Sequence, residues 1–472
     1  MLSMKSKLPF LFLPFISCCY YAKAQTAPGF KELLDSAMVR DADLKTQLTK
    51  NKLTGLDQHK LKDAYLPTLE LSGMAGYLNA TAHVISPELN LQPFLNIPEG
   101  KYNNNINVSG FSGLAKADAK MLLYAGGKIK ALGKALEEKK LSENILVEKT
   151  TDDVVAVISR AYDQLALVHQ SGKVLDEGRK RLAANRKTAD KALGYGLITP
   201  YDHKKIELAQ ATLDAKVAAY EGKKALLLTQ LEVLTGISQD RLRLIEPALV
   251  AVVPAAPQKT IHERAEIRAL DHGINASAFK IKAEQTWWIP KVQAMASTFY
   301  LGLYGSRVKS SDNIIPPIPA IGYPGRKLDW RPTNLNIFPI VMAGVGFKWE
   351  IFDGREGKHA IEVARIDREL LQHQKYDALR KLTLNQANNQ SEYNIANAQI
   401  ALKKKQKEVA ADALVQAEKE FRYGMSKSTQ LIDAENDLEM AELEYQNAIF
   451  NQRRAAIELM RSTQELDVSK LY

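Results

Sequence analysis

"VGFKWEIFDGREGKHAIEVARIDREL", residues 345–370, changes character in its middle. Val345, Phe347, Trp349 and Ile351 alternate with Gly346, Lys348 and Glu350, the period-2 pattern of a strand with one apolar face. After Asp353-Gly354 the alternation stops. From Lys358 to Tyr423 the chain is charged, Ala-rich and free of Pro and Gly. A strand feeding a helix that long, in a chain of 472 residues, points to an elongated or repetitive protein rather than one compact domain.

Three more stretches alternate. After "AYLP", Leu69, Leu71, Ala75 and Tyr77 fall on one side, interrupted by Gly73. A weaker pattern near Ile106 and Val108 runs irregularly through Phe111 and Leu114. After "WWIP", Val292, Ala294, Ala296, Thr298 and Tyr300 alternate again. The expected strands are about 65–79, 105–124, 289–305 and 336–352. Two long irregular loops separate them in pairs, the second carrying Pro316, Pro317, Pro319, Pro324 and Pro332.

The remainder has helical character. Long helices are expected at about 126–193 and 355–422, each a rod of about 100 Å at 1.5 Å per residue. Each ends at a Gly and restarts, at about 200–236 and 428–466. In the first restart Thr199 is a candidate N-cap, with Pro200 at the first helical position and Asp202 in the first turn. The seam Ile206, Ala209, Leu213, Val217, Tyr220, Leu227, Leu231, Leu234 has coiled-coil spacing. One further helix is expected before each strand pair.

The two halves look like repeats, 25–258 and 259–472. Subtracting 228 places Gly354 on Gly126, Lys358 on Lys130, Tyr423-Gly424 on Tyr195-Gly196, and Leu459 on Leu231. "YLP" at 65–67 meets "WIP" at 288–290 with a different offset, so the strand loops differ in length.

Residues 1–24 read as an export signal: Lys5 and Lys7, an apolar run from Leu8 to Ile16, and Ala22-Lys23-Ala24 as a cleavage site. Its loss would take the formal charge from +10 to +7, by three lysines, and would remove both cysteines. A second reading keeps Cys18 as a lipidated first residue. No other apolar run reaches the length of a transmembrane helix. The basic residues interleave with acids, as on a solvated helix face, so no nucleic acid is expected.

Four amphipathic strands cannot stay open in lipid, where each unpaired backbone group costs several kcal/mol, and they are too few to close a barrel of about eight or more. Several copies must therefore close one barrel, with the rods as a matching ring. At this point the chain resembles the TolC-type outer membrane efflux proteins of Gram-negative bacteria. "AYLPTLELSG", "WWIPKVQAMA", "LYAGGKIKA", "IFDGREGKHA" and the turns "YGLITPYDHKKIELAQATL" and "YGMSKSTQLIDAENDLEMAELEY" carry the resemblance over nearly the whole mature chain.

The resemblance implies a mainly α fold with a small β part: a long antiparallel α-helical coiled-coil barrel joined to a transmembrane β-barrel, with two internal repeats, closed by trimerisation. It implies a passive outer membrane duct, with a periplasmic helical extension, fed by a periplasmic adaptor and an inner-membrane transporter. It also implies an acidic aperture. Its positions fall on Asp433 and Gln430, the latter a departure from the acid. Asp202 matches an acid that pairs with a basic residue of the second turn, where this chain has Ser426 with Lys427 and Arg422 nearby. The tips Gly196, Leu197, Ile198, Thr199, Gly424, Met425 and Ser426 would contact the adaptor.

Pro67, Gly126, Gly127, Pro290, Asp353 and Gly354 are expected at the strand–helix junctions, with Trp287, Trp288, Trp349 and Phe352 as aromatic anchors at the membrane interface. For Asp433 the plain alternative is a first-turn acid favoured by the helix dipole. "AGGKIKA" lacks the spacing of a phosphate loop, the eight histidines are scattered, and no nucleophile elbow occurs, so neither an enzyme nor a cofactor is expected. Two alternatives stay open: the outer membrane component of a type I protein secretion system, and a periplasmic coiled-coil adaptor. The adaptor predicts no barrel.

Overall fold

The computed structural model describes residues 26–85, 87–91, 95–100, 103–196, 198–254, 260–315, 317–318, 321–464, 466 and 472. The expected export signal, with Cys18, lies outside them, as does the tip residue Leu197. The chain forms two compact units. One comprises Met1–Gln47, Val147–Ala265 and Leu379–Tyr472; the other comprises Leu48–Leu146 and Glu266–Ala378.

The second unit holds the sheet. β1 (Thr68–Val84) pairs antiparallel with β4 (Asn104–Tyr124), which pairs with β5 (Lys291–Ile315). The far edge of β5 is shared: β7 (Asn334–Lys348) pairs with its first part, Lys291–Tyr304, and β6 (Arg326–Trp330) with its last part, Val308–Ile315. Among the described residues β1 and β7 each pair on one side only. A small hairpin, β2 (Leu89–Leu91) and β3 (Leu95–Ile97), lies between β1 and β4.

Two expectations need correction here. The third strand runs ten residues beyond the expected end at 305, because its far part finds β6 inside the proline-rich stretch expected to be an irregular loop. The fourth strand stops at Lys348 rather than 352, where Trp349 leaves the ladder. The irregular stretch near Phe111 lies inside one continuous strand, as expected, and β5 bulges opposite it, with one extra residue between Tyr304 and Arg307. Gly110 permits it: a Cβ there would sit 2.8 Å from Ser306 Cα.

The helices of this unit are the end of α2 (Ala42–Asp63), the start of α3 (Lys128–Gly194), α6 (Ala265–Glu284) and the start of α7 (Glu356–Arg422). Polar contacts order them side by side. Thr54 donates to Glu143 Oε1 at 2.9 Å, Lys128 pairs with Glu284 at 2.9 Å, and Lys280 with Asp367 at 2.9 Å.

The first unit contains α1 (Phe30–Arg40), the rest of α3, α4 (Pro200–Thr235), the short α5 (Gln239–Leu242), the rest of α7, and α8 (Ser428–Thr463). Two helices precede the sheet where one was expected. The chain breaks at Asp41, whose Oδ1 accepts from Leu44 N at 2.7 Å and so caps the restart. The core joins Leu33 of α1, Ile158 of α3, Leu231 of α4 and Leu242, all essentially fully buried. The predicted α4 seam is the buried face: Ile206, Leu213, Leu227 and Leu231 lie inside. Nearby, Arg453 pairs with Asp163 at 2.9 Å, and the Tyr472 hydroxyl donates to the same carboxylate oxygen at 2.9 Å. A charge pair this deep is retained only with such added hydrogen bonds.

Candidate membrane-facing surface and helix tips

Strand registers decide which side chains share a face. One face carries Leu69, Leu71, Ala75 and Tyr77 of β1, then Phe111, Ala115, Ala117, Ala119 and Met121 of β4. It continues through Val292, Ala294, Ala296, Thr298 and Tyr300 of β5 to Val341, Ala343, Val345 and Phe347 of β7. No charged residue occurs on it from Leu69 to Tyr77 and across their partners. Over this band and its helix end the charges, Glu70, Lys116, Asp118, Lys120, Lys291 and Lys348, all project from the other face. The apolar face is bare: Leu69 is 81% exposed, Val341 and Phe347 73% each. Water does not stabilise such a surface; a lipid or protein partner does.

Aromatic residues bound this band at both ends. Tyr77, Phe111 and Tyr304 stand in register at the end away from the helices, and Tyr77 meets Phe111 edge-on at 5.7 Å. Trp288, Trp349, Phe352 and Tyr124 stand exposed at the helix end. Leu69 to Tyr77 is nine residues, about 23 Å high at ~3.3 Å per residue and a tilt of about 40°. That matches the ~25 Å apolar band of outer membrane barrels. The far girdle was missed in the sequence, because Tyr77, Phe111 and Tyr304 align only through the pairing of three strands distant in sequence. Trp287 differs from its three companions: its ring packs on the backbone of Gly357, where a Cβ would lie 2.4 Å away.

The junctions are built from backbone chemistry. Gly126, Gly127 and Gly354 all have left-handed φ, of 66°, 88° and 69°. Gly126 is also hemmed in, since a Cβ would sit 2.9 Å from Ile289 Cβ. Asp353 accepts from Arg355 N at 3.0 Å and Gly357 N at 2.7 Å, which caps the start of α7. Pro67 and Pro290 immediately precede β1 and β5.

The helix tips lie in the first unit. Gly196 and Gly424 end α3 and α7 with φ of 68° and 70°. Thr199 and Asp202 form a capping box: Asp202 N donates to Thr199 Oγ1 at 3.2 Å, and Thr199 Oγ1 donates to Asp202 Oδ2 at 2.7 Å. Gln430 holds the matching place in the second turn, accepting from Lys427 N at 3.2 Å. Gln at this position caps as well as an acid would. Asp202 thus has a partner in its own turn, and no ion pair joins it to Arg422 or Lys427 among the described residues. Asp433 is exposed, and among the described residues it has no partner. Met425 is bare, Ser426 and Ile198 half-buried.

Two turns above the second tip, Glu435 of α8 accepts from Asn185 of α3, and Glu439 pairs with Lys216 of α4 at 2.5 Å. Burial, opposed by Arg181 and aided by Glu418, pushes the Glu435 carboxyl up to about 7.

No helix among the described residues is long and apolar enough to cross a membrane, and none of their His, Cys, Asp and Glu residues cluster to hold a metal ion. Residues 256–463 match the family model described as outer membrane efflux protein. The match falls within the second half of the chain.

Solved structures share the fold over nearly the whole chain. VceC, an outer membrane protein of Vibrio cholerae, superposes with a TM-score of 0.67 at 15% identity, over 92% of this chain and 95% of that one. A membrane protein of Pseudomonas aeruginosa gives 0.67 at 15% identity, over 92% and 93%. The open state of the MtrE outer membrane channel of Neisseria gonorrhoeae gives 0.63 at 15% identity, over 93% and 89%. At such identity the likeness is one of fold. No curated protein matches the sequence.

Proposed function

We propose that this outer membrane efflux protein is a homotrimeric duct. Three four-strand sheets close one 12-stranded barrel, and the long helices form a periplasmic tube below it. The observation that carries this is the segregation of the sheet: one bare apolar face between two aromatic girdles, the charges of that band all on the other face, and two open edges on β1 and β7. An open edge in lipid is not viable, so each β1 pairs with the β7 of a neighbouring copy. The equal lengths of α3 and α7, 67 residues each, and of α4 and α8, 36 each, support two repeats that close a ring.

The duct works passively. An inner-membrane transporter and periplasmic adaptor deliver substrate, and the tips at Gly196–Thr199 and Gly424–Ser426 receive the adaptor. Asp433, exposed and unpaired, forms a ring of three carboxylates that favours cations at the aperture. Gln430 and Asp202 shape that aperture through their caps. Outer membrane fractionation with cross-linking tests the proposal. A heat-modifiable trimer in the outer membrane is expected; a soluble periplasmic monomer contradicts it.

A further inference from the structure

The sheet does not end at its far aromatic girdle, and its polarity inverts there. Below Tyr304 the outward face is apolar. Above it the same face turns polar: Asn107 donates to Asn79 Oδ1 at 2.8 Å and to Thr81 Oγ1 at 3.0 Å, and Arg307 and Lys309 follow on β5. The inward residue between them, Val308, is buried. The register shift between Ser109 and Phe111 makes the change abrupt.

This rim is basic. Arg307 holds Asp329 of β6 through both oxygens, at 3.0 and 2.7 Å, and Arg331 reaches the same carboxylate at 3.5 Å. One acid thus serves two guanidinium groups. Lys309 stands opposite Asp329 in the register and is exposed, and Lys327 lies one step further along the β6 edge. A further acid of β5, Asp312, accepts from Ser311 Oγ at 2.9 Å. Arg307 is three residues past Tyr304, but the bulge makes that two ladder positions, Phe111 to Ser109, about 7 Å along the strand and ~5 Å in height at a tilt of about 40°, which lies within the headgroup layer beyond a hydrocarbon core.

We propose that this rim binds a phosphorylated lipid headgroup of the outer leaflet. The inference rests on the barrel reading above, and the occupant follows from charge. Excess cations lie within a headgroup's depth outside an aromatic girdle, where guanidinium and ammonium groups meet phosphate as charge-assisted donors.

Native mass spectrometry of the detergent-purified full chain tests it, with diphosphoryl lipid A as probe, against the fully dephosphorylated lipid and inorganic phosphate. Binding should fall about tenfold without the phosphates, and about as much in the double variant Lys309→Gln, Arg331→Gln. The control Arg179→Gln, Lys180→Gln, on α3, should bind as the parent does. Equal binding of both lipids, or an unaffected rim variant, overturns the proposal; so does displacement of the lipid by stoichiometric inorganic phosphate. A chain that forms trimers yet fails these arms defeats this inference alone, whereas one that never assembles defeats the barrel itself.

Discussion

The indole Nε1 of Trp349 donates a hydrogen bond to the main-chain carbonyl of Trp288 at 2.9 Å. It ties together the ends of β5 and β7 where both leave the ladder. Trp287, one residue back, lies on Gly357 at the start of α7. Strand end, bend and helix start are therefore one packed joint.

Gly357→Ala probes that joint. Alanine in a helix ordinarily stabilises by ~1 kcal/mol. Here the added methyl meets the Trp287 ring, so we expect a loss of about 1–3 kcal/mol instead. Thermal unfolding in detergent reads the sign; a higher melting temperature contradicts the packing.

Arg355 has φ 75°, while its counterpart 228 residues earlier is Gly127, at 88°. A non-glycine residue there costs about 1–2 kcal/mol. Arg355→Gly should stabilise by about 1 kcal/mol, and Gly127→Ala should destabilise by as much, measured by denaturant unfolding.

The tips separate capping from charge. Thr199→Ala should cost about 1 kcal/mol and speed amide exchange over residues 200–204. Gln430→Glu keeps the cap and, in the proposed trimer, adds three charges to the proposed aperture, so cation preference should rise in planar-bilayer recordings with stability unchanged. Asp433→Ala should lower cation conductance or block; unchanged currents would leave Asp433 as a helix-dipole acid only.

Glu435 brings a pH dependence. Its carboxyl titrates near 7 in the folded chain against 4.5 ordinarily. The folded state therefore holds the extra proton, so stability is greatest below pH 4.5 and falls as pH rises to about 7. Glu435→Gln cannot ionise and still accepts from Asn185. It should match the parent at pH 4.5 and exceed it by roughly 1–2 kcal/mol at pH 8, discounted for partial exposure. Equal melting temperatures at both pH values contradict this.

Much of this was legible in the residues. The period-2 run at Val341–Phe347 and the Gly-Gly and Asp-Gly bends mark local backbone needs, and local needs are written locally. The Thr199 cap was visible for the same reason. What was hidden depends on partners distant in sequence. β6 exists because β5 offers it an edge, the far girdle because the ladder pairs three strands distant in sequence, and the Trp287 contact because a helix start passes beneath it. Gln430 lacks the acid's charge and also caps its helix, a contact the sequence reading did not name.

The central claim is that odd-numbered positions of β1 from Leu69 to Tyr77 meet lipid and the even ones do not. Nitroxide labels on single cysteines at 69, 71 and 75, and at 70, 72 and 74, measure this directly in bilayers. Accessibility to oxygen should be high and to a water-soluble nickel chelate low at 69, 71 and 75, with the reverse at 70, 72 and 74. Equal exposure of all six positions to the nickel chelate would contradict a membrane-embedded sheet.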